Sequence, residues 1–64
     1  MNDAEKEELL KQVNTMLLAM IGSPKLVDVW WNSQNFHFKL EKPYLVWEYD
    51  PQSVYDYVCG YAMK

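Results

Sequence analysis

The chain has no arginine, one cysteine, one histidine and two glycines in 64 residues, and each scarcity narrows what it can be. Cys59 has no partner for an intramolecular disulfide, and a lone free thiol fits a reducing compartment, so the expected location is the cytoplasm. One thiol and one imidazole, His37, cannot supply a structural zinc site. Neither sits in a local signature of nucleophilic catalysis, so no catalytic residue, metal or cofactor is expected. Without arginine the side chain best suited to bidentate base readout is missing. The six lysines, Lys6, Lys11, Lys25, Lys39, Lys42 and Lys64, are scattered through a chain of net charge −3, the reverse of the clustered basic surface on which phosphate neutralisation depends. Both points argue against nucleic acid as a partner. The longest apolar run near the start, Met16 to Ile21, falls far short of the ~20 residues that cross a bilayer. The acidic opening from Met1 to Glu8 inverts the basic-then-apolar order of a signal peptide. Neither a membrane span nor export is expected. Gly22-Ser23-Pro24-Lys25 lacks the second glycine and the Gly-Lys-Ser/Thr ending of a phosphate loop.

What is present is globular composition. Half of the residues are hydrophobic and 23% are charged, which permits collapse. A domain this short buries only roughly 60% of the surface its unfolded chain exposes, and with no disulfide or metal to staple it the margin is thin. The expectation is one small domain over residues 1–64.

Apolar residues at Leu9, Leu10, Val13, Met16, Leu17, Met20 and Ile21 recur at spacings of three and four, the period of an amphipathic helix. Asn2 or Asp3 can cap its start, the acidic first turn suits the helix dipole, and Gly22 ends it. Ser23-Pro24 reads as a cap followed by proline at the first helical position, opening a helix of about nine residues with Leu26, Val27, Trp30 and Trp31 at helical spacing. Asn32-Ser33-Gln34-Asn35 is turn composition. Asp50-Pro51 repeats the cap-plus-proline pattern and opens a last helix with Val54, Tyr57, Val58 and Tyr61 on one face. Asp50 is expected as a cap and not as part of a carboxylate cluster with Glu41, Glu48 and Asp56. Gly60 weakens the final turn by up to ~1 kcal/mol relative to alanine.

Between these helices the residues alone leave two readings. Phe36 to Glu41 alternates apolar and polar, as a half-buried strand does, and with Tyr44 to Tyr49 it would form a hairpin in an α+β fold, placing His37 on the solvent side between two buried phenylalanines. In the other reading 36–42 is an ordered loop, and a short helix starts at Pro43 with Leu45, Val46 and Tyr49 inward.

All ten aromatic residues lie between Trp30 and Tyr61. A core this small cannot bury ten large rings, and Trp and Tyr dominate binding hot spots. Trp30, Trp47 and Tyr57 are the expected core rings. Trp31, Tyr44, Tyr55 and Tyr61, one face over, are the candidate interface rings for a protein partner or for a second copy.

Gly22-Ser23-Pro24, Val29-Trp30-Trp31-Asn32-Ser33-Gln34-Asn35, Phe38, Pro43 and Asp50-Pro51 with Val54, Tyr57 and Val58 together form a pattern that resembles the toxin-binding domain of Xre/MbcA/ParS-type antitoxins. The resemblance covers about residues 16 to 62. Gln34 stands where that pattern has the proline of a Pro-Asn pair, Leu40 where it has a turn glycine, and Lys42 where threonine or arginine commonly precedes the proline. The resemblance implies an all-α bundle of about four helices, which selects the loop-plus-helix reading of 36–49. It also implies a non-enzymatic module that binds and inhibits a RES-type NAD-consuming toxin, with the C-terminal residues Tyr61, Ala62, Met63 and Lys64 as the inhibitory tail. The DNA-binding helix-turn-helix usual in that family has no room here, so operator binding is not expected. A short acidic stand-alone version also looks like small bacteriophage proteins that act through self-association or through virion and host protein contacts.

Overall fold

The computed structural model describes residues 2–62, and among them the chain is all-α: helices α1 (Asp3–Ile21), α2 (Pro24–Asn32), α3 (Pro43–Tyr49) and α4 (Pro51–Ala62), with one 3-10 turn at Phe36–Phe38. Their ends follow from local chemistry. Asn2 Oδ1 accepts the Glu5 backbone N–H at 2.8 Å to start α1. At the other end Gly22 takes φ 85°, a left-handed conformation that places its N–H on the Leu18 carbonyl at little steric cost to glycine. Pro24 opens α2, although the Ser23 hydroxyl makes no capping bond. That helix ends where side chains turn back on their own backbone, Asn32 Nδ2 to the Asp28 carbonyl and Ser33 Oγ to the Val29 carbonyl, a local alternative to further helix. Asp50 serves two helices: its N–H closes α3 on the Val46 carbonyl, and its carboxylate accepts from Ser53 N–H and Oγ to open α4. α4 continues through Gly60 to Ala62.

The segment between α2 and α3 is a closed loop. No hairpin forms among the described residues, where the lone β-bridge is Asn35 with Glu41, the bond that draws the loop's ends together. Asn35 Oδ1 accepts from His37 N–H, the Asn35 carbonyl accepts from Phe38 and Leu40, and the Tyr49 hydroxyl donates to Glu41 Oε2 at 2.8 Å. That last bond raises the Tyr49 phenol above its ordinary pKa. Closing so short a loop puts two successive non-glycine residues, Lys39 at φ 55° and Leu40 at φ 68°, in the left-handed region, which costs an L-residue roughly 1–2 kcal/mol. Leu40 is half exposed and recovers little of this by packing. Leu40→Gly is therefore expected to raise stability by about 1 kcal/mol, read as a higher urea midpoint. A lower midpoint would show that the leucine side chain contributes more than its backbone costs.

The core takes two residues from each helix: Val13 and Leu17, Val27 and Trp31, Val46 and Trp47, Val54 and Val58. α1 packs most extensively on α4. Glu5, Glu8 and Leu9 meet Gln52 at one end and Leu17 and Met20 meet Val58 and Tyr61 at the other, so these two helices run parallel. The ion pair Lys6–Glu48, at 3.8 Å, joins α1 to α3, and its exposure limits it to ~1 kcal/mol at most.

Three expectations about which side faces inward are corrected. On α2 the buried ring is Trp31, while Trp30 is half buried and Leu26 is 51% exposed. The inward pair Val27 and Trp31 is spaced by four, and Trp31 sits edge-on to Trp47 with centroids 5.8 Å apart. On α3, Val46 and Trp47 are buried, whereas Leu45 and Tyr49 point to solvent, because α3 rests on α2 and α4 through one narrow side. In the loop Phe38 packs on the core but Phe36 is 90% exposed. The alternation of 36–41 holds no strand, so it cannot bring both phenylalanines to one face.

Candidate functional site

The rings that reach the surface do so in different places. Trp31, one of the candidate interface rings, is 9% exposed, and its indole N–H donates to Asn14 Oδ1 at 2.8 Å, so its polar edge is satisfied inside the fold. Tyr44, 42% exposed, borders a depression with Leu10, Asn14 and Glu48. Tyr55 is half buried against the core. Tyr61, 54% exposed, lies on a separate groove. Tyr44 and Tyr61 thus belong to different surfaces. Met63 and Lys64 lie outside the described residues.

The groove at the C-terminal ends of α1 and α4 is the most apolar concavity described. Leu17 and Val58 form its floor, Met20, Trp30, Tyr57 and Tyr61 its walls, and its open volume is about 180 Å³. No charged side chain lines it. One wall is braced: the His37 ring stacks on Tyr57 at 4.1 Å, and Tyr57 meets Phe38 and Tyr61 edge-on at 5.3 and 5.1 Å. Burial, together with the bond to Tyr61, raises the Tyr57 phenol above its ordinary pKa, so the wall stays uncharged through the physiological range. His37 is thereby engaged in a ring stack. Among the described residues no three His, Cys, Asp or Glu side chains group as a metal site requires, and no helix is long and apolar enough to cross a membrane.

Sequence reasoning missed Met20, Val29 and Phe36 as surface residues and Trp30 as a half-buried groove wall. The helical period placed Met20 in the inward stripe of α1, but in the last turn Ile21 packs on the core while Met20 stays 44% exposed at the groove. Nothing in the spacing of Phe36 and Phe38 signals that one is outside. Comparison of the chain with protein-family models, with curated proteins and with solved structures finds no match in any of the three.

Proposed function

We propose that this chain is a protein-binding module without catalytic chemistry of its own, acting in the cytoplasm of a bacterium or a phage-infected cell by binding and inhibiting an enzyme. The observation that carries this reading is an excess of exposed apolar surface. Among the described residues ten large hydrophobic side chains are more than 40% exposed, against eight hydrophobic residues in the core. Single exposed leucines are ordinary, but Met20 and Tyr61, exposed beside an apolar groove, mark an interaction surface. By the resemblance the enzyme is a RES-type NAD-consuming toxin. In support, Leu40 stands where that pattern has a turn glycine and takes φ 68°, a conformation that favours glycine.

The test is affinity capture from host lysate followed by an NAD-consumption assay of the captured enzyme with and without added chain. A stoichiometric complex in which NAD loss stops supports the reading, and an enzyme that turns over unimpeded in the complex removes it. Tyr61→Ala is expected to weaken this complex by over ~2 kcal/mol, as loss of a hot-spot ring does, while the melt stays close to wild type. Unaltered affinity would remove Tyr61 and the tail it begins from the mechanism.

A second reading, self-association in the manner of a small phage accessory or structural protein, is favoured by one specific observation, the 90% exposure of Phe36 on a closed loop.

A further inference from the structure

We infer that the groove between α1 and α4 receives Phe36 of a second copy of this chain, in a two-fold dimer in which each copy gives a ring and takes one. This rests on the self-association reading and is independent of any enzyme partner. Phe36 is a knob held in place: the loop that carries it is closed by the Asn35–Glu41 bridge and by backbone bonds from Phe38 and Leu40 to Asn35 and from Lys39 to Phe36. Two left-handed residues, Lys39 and Leu40, are accepted to close it. A ring displayed from a rigid loop loses little freedom when it docks. The groove is a hole of matching chemistry, about 180 Å³, apolar and uncharged.

Knob and hole are neighbours on one molecule. His37, next in the chain to Phe36, stacks on Tyr57, which is itself a wall of the groove. Self-complementary surfaces that lie side by side are what an isologous two-fold contact needs, since each patch must face its own copy.

Charge does not oppose a second copy as the occupant, despite a net charge of −3. Six of the nine acids, Asp3, Glu5, Glu7, Glu8, Glu48 and Asp50, gather where α1 and α4 begin and where α3 ends. Along α1, from Glu7 to Met20, the rise of the helix puts the α1 acids roughly 20 Å from the groove's Met20 wall. That is more than twice the screening length of about 8 Å at physiological salt. Two copies can therefore meet groove to groove with their acidic poles turned apart. A stable interface takes about 800 Å² from each partner, roughly a sixth of the 4593 Å² surface. Phe36, Tyr61 and Met20, exposed to 90%, 54% and 44%, contribute to that area, and the half-buried Trp30 and Tyr57 add their open edges. The dimer would also cover apolar surface in a chain this short, whose single cysteine forms no internal disulfide.

The test is light scattering and sedimentation equilibrium of the purified full chain from micromolar to millimolar concentration, compared with Phe36→Ala, Met20→Lys and an equimolar mixture of the two variants. The wild type is expected to dimerise. Phe36→Ala removes both knobs and Met20→Lys places a charge in both grooves, and each is expected to weaken dimerisation by at least about thirtyfold, with a melt unchanged at concentrations where the wild type is monomeric. The mixture is expected to associate more tightly than either variant alone, because the intact ring of one copy fits the intact groove of the other. If Met20→Lys fails to fold, Phe36→Ala alone decides. A dimer that persists in Phe36→Ala overturns this inference and leaves self-association standing. A wild type that stays monomeric throughout overturns both, and leaves the groove to the chain's own C-terminal residues or to a different protein.

Discussion

Trp47→Ala is expected to cost roughly 3–5 kcal/mol, as removal of a buried ring does, and to leave much of the protein unfolded at room temperature. Trp47 is 6% exposed on α3. It meets Trp31 edge-on and lines the contacts of α3 with Leu10 on α1, so its loss opens a void where three helices meet. α3 has only seven residues, too few for a helix to persist without packing, so the void cannot be closed by a small shift of an otherwise stable element. Typical domains have 5–15 kcal/mol of total stability, and one of 64 residues belongs at the low end. Urea unfolding followed by circular dichroism measures this. A cooperative melt with the wild-type midpoint would show that Trp47 is not part of the core.

Trp31→Ala is expected to be as damaging, and a milder variant separates its two contributions. Trp31 fills the space between α1 and α3 and also donates its indole N–H to Asn14. Alanine removes ring and bond together, at roughly 3–5 kcal/mol for the ring. Trp31→Phe keeps most of the ring against Trp47 but strands the Asn14 carbonyl oxygen, a net loss of roughly 0.5–1.5 kcal/mol for the bond beyond the lost ring volume. A double-mutant cycle with Asn14→Ala measures that bond: a coupling of about 1 kcal/mol is expected. A coupling of zero would mean that the bond adds nothing beyond packing. These two tryptophans together also explain why α2 turns as it does. The Trp31 indole N–H meets Asn14 on α1, whereas Trp30 lines the groove.

Helices α1, α2 and α4 were legible residue by residue, whereas α3 stood open against a strand. Asn2, Gly22, Pro24, Asp50 and Pro51 act within a few residues of themselves, through a cap bond, a left-handed carbonyl closure or a proline ring that needs no N–H donor, and such chemistry is readable without the fold. The loop at 36–42 was legible only through a resemblance, since its alternating pattern fits a strand equally well. Its closure depends on two residues, Lys39 and Leu40, taking a conformation that neither advertises. Of the surface, Tyr44 and Tyr61 were anticipated. Trp31 was assigned to the wrong side because Trp30 and Trp31 are adjacent on a helix of nine residues, about 100° apart, and periodicity over so short a span does not choose between them.

By itself, then, the sequence determined the helices at 3–21, 24–32 and 51–62 to within their caps and turns, left 36–49 open between a hairpin and a loop with a short helix, and held more aromatic surface than a core of this size accepts. Only the tertiary structure decided which rings are inside. It put Trp31 and Trp47 at the centre, left Met20 and Trp30 as groove walls and turned Phe36 out to solvent. The reason is physical: caps and turns are satisfied by neighbours along the chain, whereas burial is set by which other helix arrives to cover a given side. Here α4 returns parallel to α1 and meets its last turn, where Ile21 packs on the core while Met20 stays 44% exposed.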